Sequence, residues 1–159
     1  MTDPARVLLR HTLATVAYRG GKAIRGASDS FALFRAGPTT RTPGEILAHI
    51  GDLFDWGMHL AKGERVWKDS TPLPWQEEVA RFHAALGRFD AALAGDAPLG
   101  YPVEQLFQGP VADALNHVGQ LTMLRRMYGE AIKGENYFKA DIAVGRTGAD
   151  QAPARVEFD

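Results

Sequence analysis

Four stretches of this chain repeat apolar residues at three- and four-residue intervals, and no stretch alternates convincingly with period two. That periodicity restricts the chain to helices with one apolar face each, which must be buried against one another. The first stretch opens at Asp3-Pro4, an N-cap aspartate followed by proline at the first helical position, and carries Val7, Leu8, Leu13, Val16 and Ala17 to about residue 25. Gly20-Gly21 inside it reads as a close helix crossing or a kink. The second stretch opens at Thr42-Pro43-Gly44-Glu45, a capping-box pattern, and ends near Lys62-Gly63. The third follows "STPLPWQEE", shows Val79, Phe82, Leu86, Phe89 and Leu93 on one face, and stops at Gly95. The fourth is expected to start after "YPVEQLFQGP", with Pro110 in its first turn, and to run through Ala114, Leu121 and Leu124 to Gly129. Phe31, Leu33 and Phe34, in the long first connection, are expected to pack on the core. From Lys133 onward the chain reads as an extended tail lying across the helices.

The expected fold is all-α: one domain over residues 1–159, a four-helix bundle with long crossover connections and an extended C-terminal tail. A less regular all-α arrangement is the alternative. The length suits one domain with a sizeable core. A formal net charge of −1 provides no basic excess for a phosphate backbone, so nucleic acid is not an expected partner. The chain has no cysteine, which removes disulfides, thiolate ligands and a cysteine nucleophile and fits a reducing, cytoplasmic setting. No run of about 18 apolar residues predicts a membrane span. No uninterrupted apolar segment follows the first residues, so no signal peptide is expected.

Five histidines are the main chemical resource. In a helical bundle, metal sites are built from inward side chains on facing helices. His49 lies among Ile46, Ile50 and Leu53, near the core face of the second helix. His117 lies between Ala114 and Leu121 on the fourth helix, and Asp113 stands one turn earlier on the same stripe. A carboxylate on an inward stripe is costly unless paired or bound to a cation. Against this, a carboxylate in the first turn after Pro110 is also explained by the helix dipole, and a histidine on an apolar face can be a hydrogen-bonded core residue. Two ligands at i and i+4 plus one from elsewhere form the three-ligand pattern of an open catalytic metal site. Imidazole and carboxylate together suit zinc, nickel, iron or manganese. Asp52, three residues after His49, is a candidate outer partner for an imidazole, and Gln120 a candidate to fix a ligand or substrate. His11, His59 and His83 are weaker candidates. The pairs Asp52/Asp55 and Glu77/Glu78 read as solvated faces. Neither a Gly-x-Ser-x-Gly elbow nor a phosphate-binding glycine loop is present.

"EILAHIGDLFDW" followed by "DALNHVGQLTMLRRM", with the tail "NYFKADIAVGR", resembles the DinB-like (DinB/YfiT) metalloprotein superfamily. The resemblance covers most of the chain. It implies a four-helix bundle holding one divalent metal through a histidine of the second helix and two ligands at i and i+4 of the last long helix. These map onto His49, Asp113 and His117. The first of the i, i+4 pair is usually histidine in the family, so aspartate at 113 lowers the site's charge by one. The resemblance further implies a hydrolase or a thiol-dependent transferase acting on a small molecule. With no cysteine in the chain, the thiol would be a low-molecular-weight one. A competing expectation is a non-catalytic bundle binding a small apolar ligand or a protein partner, with Trp56, Trp67, Trp75, Tyr101 and Phe107 lining the pocket. A homodimer is compatible with either, with Phe54 and Trp56 as candidate interface residues.

Overall fold

The computed structural model describes residues 3–159, and the described chain is mostly helical. Helix α1 spans Pro4–Ile24, α2 Pro43–Ala61 and α3 Trp75–Ala94. A single turn, α4 (Val103–Leu106), leads through a π-turn (Phe107–Val111) into α5 (Ala112–Tyr128). The expected starts of α1 and α2 hold at atomic detail. Asp3 accepts the Ala5 N–H at 3.0 Å. Thr42 and Glu45 form the reciprocal capping box, with the Thr42 N–H on Glu45 Oε2 at 2.7 Å and the Glu45 N–H on Thr42 Oγ1 at 3.2 Å. At the end of α5, Gly129 adopts φ 96° and the Glu130 N–H returns to the Arg125 carbonyl at 2.9 Å, a left-handed glycine stop.

The start of the last helix differs from the sequence expectation. Leu106, Phe107, Val111 and Ala112 all have right-handed helical backbones, so the chain is already helical from Val103. Pro110 sits inside the helix instead of in its first turn. Proline has no N–H, and its ring collides with the carbonyl four residues back in a regular α-helix. Widening one turn to i→i+5 bonding, with the Ala112 N–H reaching the Phe107 carbonyl, lets the helix continue through it.

The core is formed where α2 lies against α3, its most extensive partner, and where α1 and α5 close over them. Leu13, Ile50, Phe54, Phe82, Leu86, Phe89 and Leu121 are fully buried there. Phe54 is therefore core and not interface. Gly20 is a close crossing within an unbroken α1: a β-carbon there would stand 2.6 Å from the Phe82 ring. Phe31 is buried and Phe34 packs against the core, but Leu33 is 81% exposed. Residues 29–33 form a 3₁₀ turn, and its tight turn carries Leu33 away from the core.

The tail crosses the helices as expected. Its two-residue strands, β1 (Gly134–Glu135) and β2 (Glu157–Phe158), pair antiparallel. The buried Glu135 carboxylate receives Tyr18 Oη and Lys22 Nζ from α1. Farther along, the Thr147 carbonyl meets His83 Nδ1 of α3 at 3.2 Å.

Candidate metal centre

The α2–α5 seam brings three of the expected residues together. His49 Nε2 is 3.4 Å from Asp113 Oδ2, and His117 Nε2 is 3.4 Å from Asp113 Oδ1. The two imidazole rings stand nearly perpendicular, with centroids 4.8 Å apart. One donor atom from each of the three residues lies within 4.8 Å of the others. Their side chains are 20% (His49), 44% (Asp113) and 13% (His117) exposed, so the cluster opens to solvent on the Asp113 side.

Each histidine–Asp113 approach has the spacing of two ligands on one ion, the two running to different carboxylate oxygens. Two ligand atoms about 2.0–2.1 Å from one ion in tetrahedral geometry are roughly 3.4 Å apart. The same 3.4 Å is long for a hydrogen bond. His117 is oriented for such a role. Its Nδ1 meets Gln120 Oε1 at 2.8 Å, so the Nδ1–H tautomer donates to the amide and leaves Nε2 unprotonated toward Asp113.

The continuous helix from Val103 changes how Asp113 is read. No helix start lies beneath it, so the dipole of a helix N-terminus does not account for the carboxylate. Its exposure also removes the burial cost expected from its stripe. What remains is its position between two imidazoles.

Asp52 does not orient His49. Its buried carboxylate accepts the Ser70 N–H at 2.9 Å, the Ser70 hydroxyl at 2.6 Å and the Arg81 guanidinium. Arg81 reaches over Gly51, where a β-carbon would stand 2.8 Å from it, and also donates to the Ala48 carbonyl at 3.0 Å. The guanidinium thus clamps α2 at the residue before His49. Glu78, expected on a solvated face, is 1% exposed, and burial pushes its carboxyl up despite Arg81 3.7 Å away. The period of α3 turns Glu78 inward beside Phe82, while Glu77 remains outside. His59 pairs with Glu64 at the end of α2, and His83 with Thr147; neither joins the cluster. His11 lies outside it as well.

Comparison with known proteins yields no match among protein-family models, curated proteins or solved structures.

The loop after α2 contributes a residue that periodicity could not assign to the site. The Trp67 ring stands edge-on to His49 at 5.8 Å between centroids and at 5.7 Å from Trp56. Trp56, Trp67 and Tyr101 line a cleft of about 480 Å³ with Arg65, Gln105 and Gln108. Trp75 is not part of it, being buried edge-on to Phe31 at 5.5 Å. Phe107 faces a separate groove with Leu8 and Val103. Among the described residues, no helix is long and apolar enough to cross a membrane.

Proposed function

We propose that the chain is a metal-dependent enzyme of the DinB-like kind, a four-helix bundle with long crossover connections in which His49, Asp113 and His117 hold one divalent metal. The observation that carries the reading is the convergence of three donor residues from two helices, each histidine 3.4 Å from an Asp113 oxygen and one donor atom of each residue within 4.8 Å of the others. Two imidazoles and a carboxylate favour zinc or nickel, with iron or manganese also compatible. Three protein ligands leave a position for water or substrate, and a metal there lowers the pKa of bound water or of a small-molecule thiol. Hydrolysis of a small molecule or thiol S-transfer are the reaction types this chemistry serves. Gln120 holds the His117 tautomer, and Trp67 shields one side of His49. A cytoplasmic homodimer is the accompanying proposal, the compartment resting on the absence of cysteine and the dimer on helix faces left over after packing, such as that of Trp56.

The test is elemental analysis of protein purified without a histidine tag. Stoichiometric metal is expected in the native chain and its loss in His49→Ala and His117→Ala. Gln120→Leu is expected to keep the fold and weaken metal affinity about 10- to 100-fold. Metal content unchanged in both histidine variants would refute the site.

The aromatic cleft favours one second reading, a non-catalytic bundle that binds a small apolar ligand. It requires full ligand binding and an intact fold in chelator, with no stoichiometric metal.

A further inference from the structure

The cleft beside the candidate metal centre has a more specific chemistry than apolarity. It lies where α2 and the loop after it face α4 and the π-turn that lead into α5, next to the three metal donors. Trp56 stands two helical turns beyond His49 on α2, and Gly109 four residues before Asp113 on the other wall. Trp67 belongs to both places, since its ring contacts those of His49 and Trp56.

The walls are aromatic. Trp56 and Trp67 meet at 87°, so one offers a face where the other offers an edge, the pair of contacts a third flat ring can complete. Tyr101 is a third aromatic residue of the lining. The volume of about 480 Å³ lies within the usual range for small-molecule sites.

The cleft also carries one sign of charge. Arg65 is the only charged side chain among its described lining residues, beside the amides of Gln105 and Gln108. Its Nε donates to Tyr101 Oη at 2.7 Å, which fixes the guanidinium at the rim. Among the described residues no carboxylate pairs with it, so its terminal nitrogens remain for an outside acceptor. A planar guanidinium matches a carboxylate in two parallel hydrogen bonds.

We propose that this cleft binds a planar aromatic carboxylate, with its ring against Trp56 and Trp67 and its carboxylate on Arg65. As a substrate class for the enzyme, the assignment rests on the metal-centre reading above; as a binding site, it stands on the cleft alone.

The experiment follows the three tryptophan indole N–H resonances during titration with 2-naphthoate, naphthalen-2-ylmethanol and octanoate, with and without chelator. The naphthoate is expected to shift Trp56 and Trp67 and to leave the buried Trp75 in place, equally in chelator. Arg65 is on the surface, so Arg65→Gln keeps the fold. It is expected to weaken naphthoate roughly tenfold or more and to abolish its preference over the alcohol. Equal binding of the acid and the alcohol by the native chain, octanoate binding as tightly as naphthoate, or no indole shift at millimolar naphthoate would each overturn the proposal. The two readings fail separately. Metal retained without a naphthoate shift removes only the cleft assignment, and a naphthoate shift without metal removes only the metal centre.

Discussion

Gly57 sits where a β-carbon would stand 2.5 Å from the Phe89 ring, so α2 and α3 meet there with no room for a methyl group. Gly57→Ala is expected to destabilise the fold by about 1–3 kcal/mol through overpacking, against the small gain in helix propensity. A lower urea midpoint at unchanged m-value checks it. His83 provides a second residue-scale expectation. Burial holds its imidazole below the ordinary value of 6.5, outweighing the Thr147 carbonyl. Below pH 6.5 the unfolded chain takes up the proton before the folded one does. The His83 contribution is thus fully present above 6.5 and is lost as pH falls toward the lowered folded value. In denaturation series from pH 7.5 to pH 5, His83→Gln is expected to flatten the decline. At the candidate centre, the i, i+4 relation of Asp113 and His117 was legible because a helix places such pairs on one face. The inward side of α2 likewise marked His49. The partner of His117 was legible by the same spacing, since Gln120 stands three residues on.

Helix α2 shows what an element owes to its ends. Its first turn is held by two reciprocal hydrogen bonds between Thr42 and Glu45, and one of them, backed by Arg35, holds the Glu45 carboxyl below the usual range. Thr42→Ala is expected to cost about 1 kcal/mol, because one backbone donor of the first turn loses its acceptor. Thermal unfolding of the variant measures this, with Thr42→Ser recovering most of the loss. The last helix was less legible for a reason also local to the element. Proline ordinarily marks a first turn, and a π-turn that carries the chain past Pro110 leaves no distinct pattern in composition. The consequence reaches the site, because Asp113 stands well inside a helix instead of at its start.

For the molecule as a whole, the tail is bound to the helices by a buried ionic contact. The Glu135 side chain is fully buried and Lys22 is only 12% exposed, with Tyr18 as the second donor. Removing one partner leaves a buried carboxylate short of its counter-charge. Lys22→Met is therefore expected to cost about 3–5 kcal/mol. Replacing Glu135 as well, with Gln, is expected to recover part of that loss, which a double-mutant cycle in urea would measure. Faster amide exchange across residues 134–158 in Lys22→Met alone would locate the effect in the tail.

The sequence by itself determined the helical class, the boundaries of α1 and α2, the end of α3, the course of the tail and the three residues of the candidate centre. Each of these follows from periodicity, caps or helical spacing, which act over a few residues. Helix α3, by contrast, starts at Trp75, inside the stretch expected to precede it. Only the tertiary structure decided that Asp52 serves Ser70 and Arg81, that Glu78 and Phe54 are buried, and that Trp67 stands against His49. Those outcomes depend on which faces of different helices meet and on where irregular loops return. The contacts that settle them join residues far apart in the chain, and no local pattern encodes such a pairing.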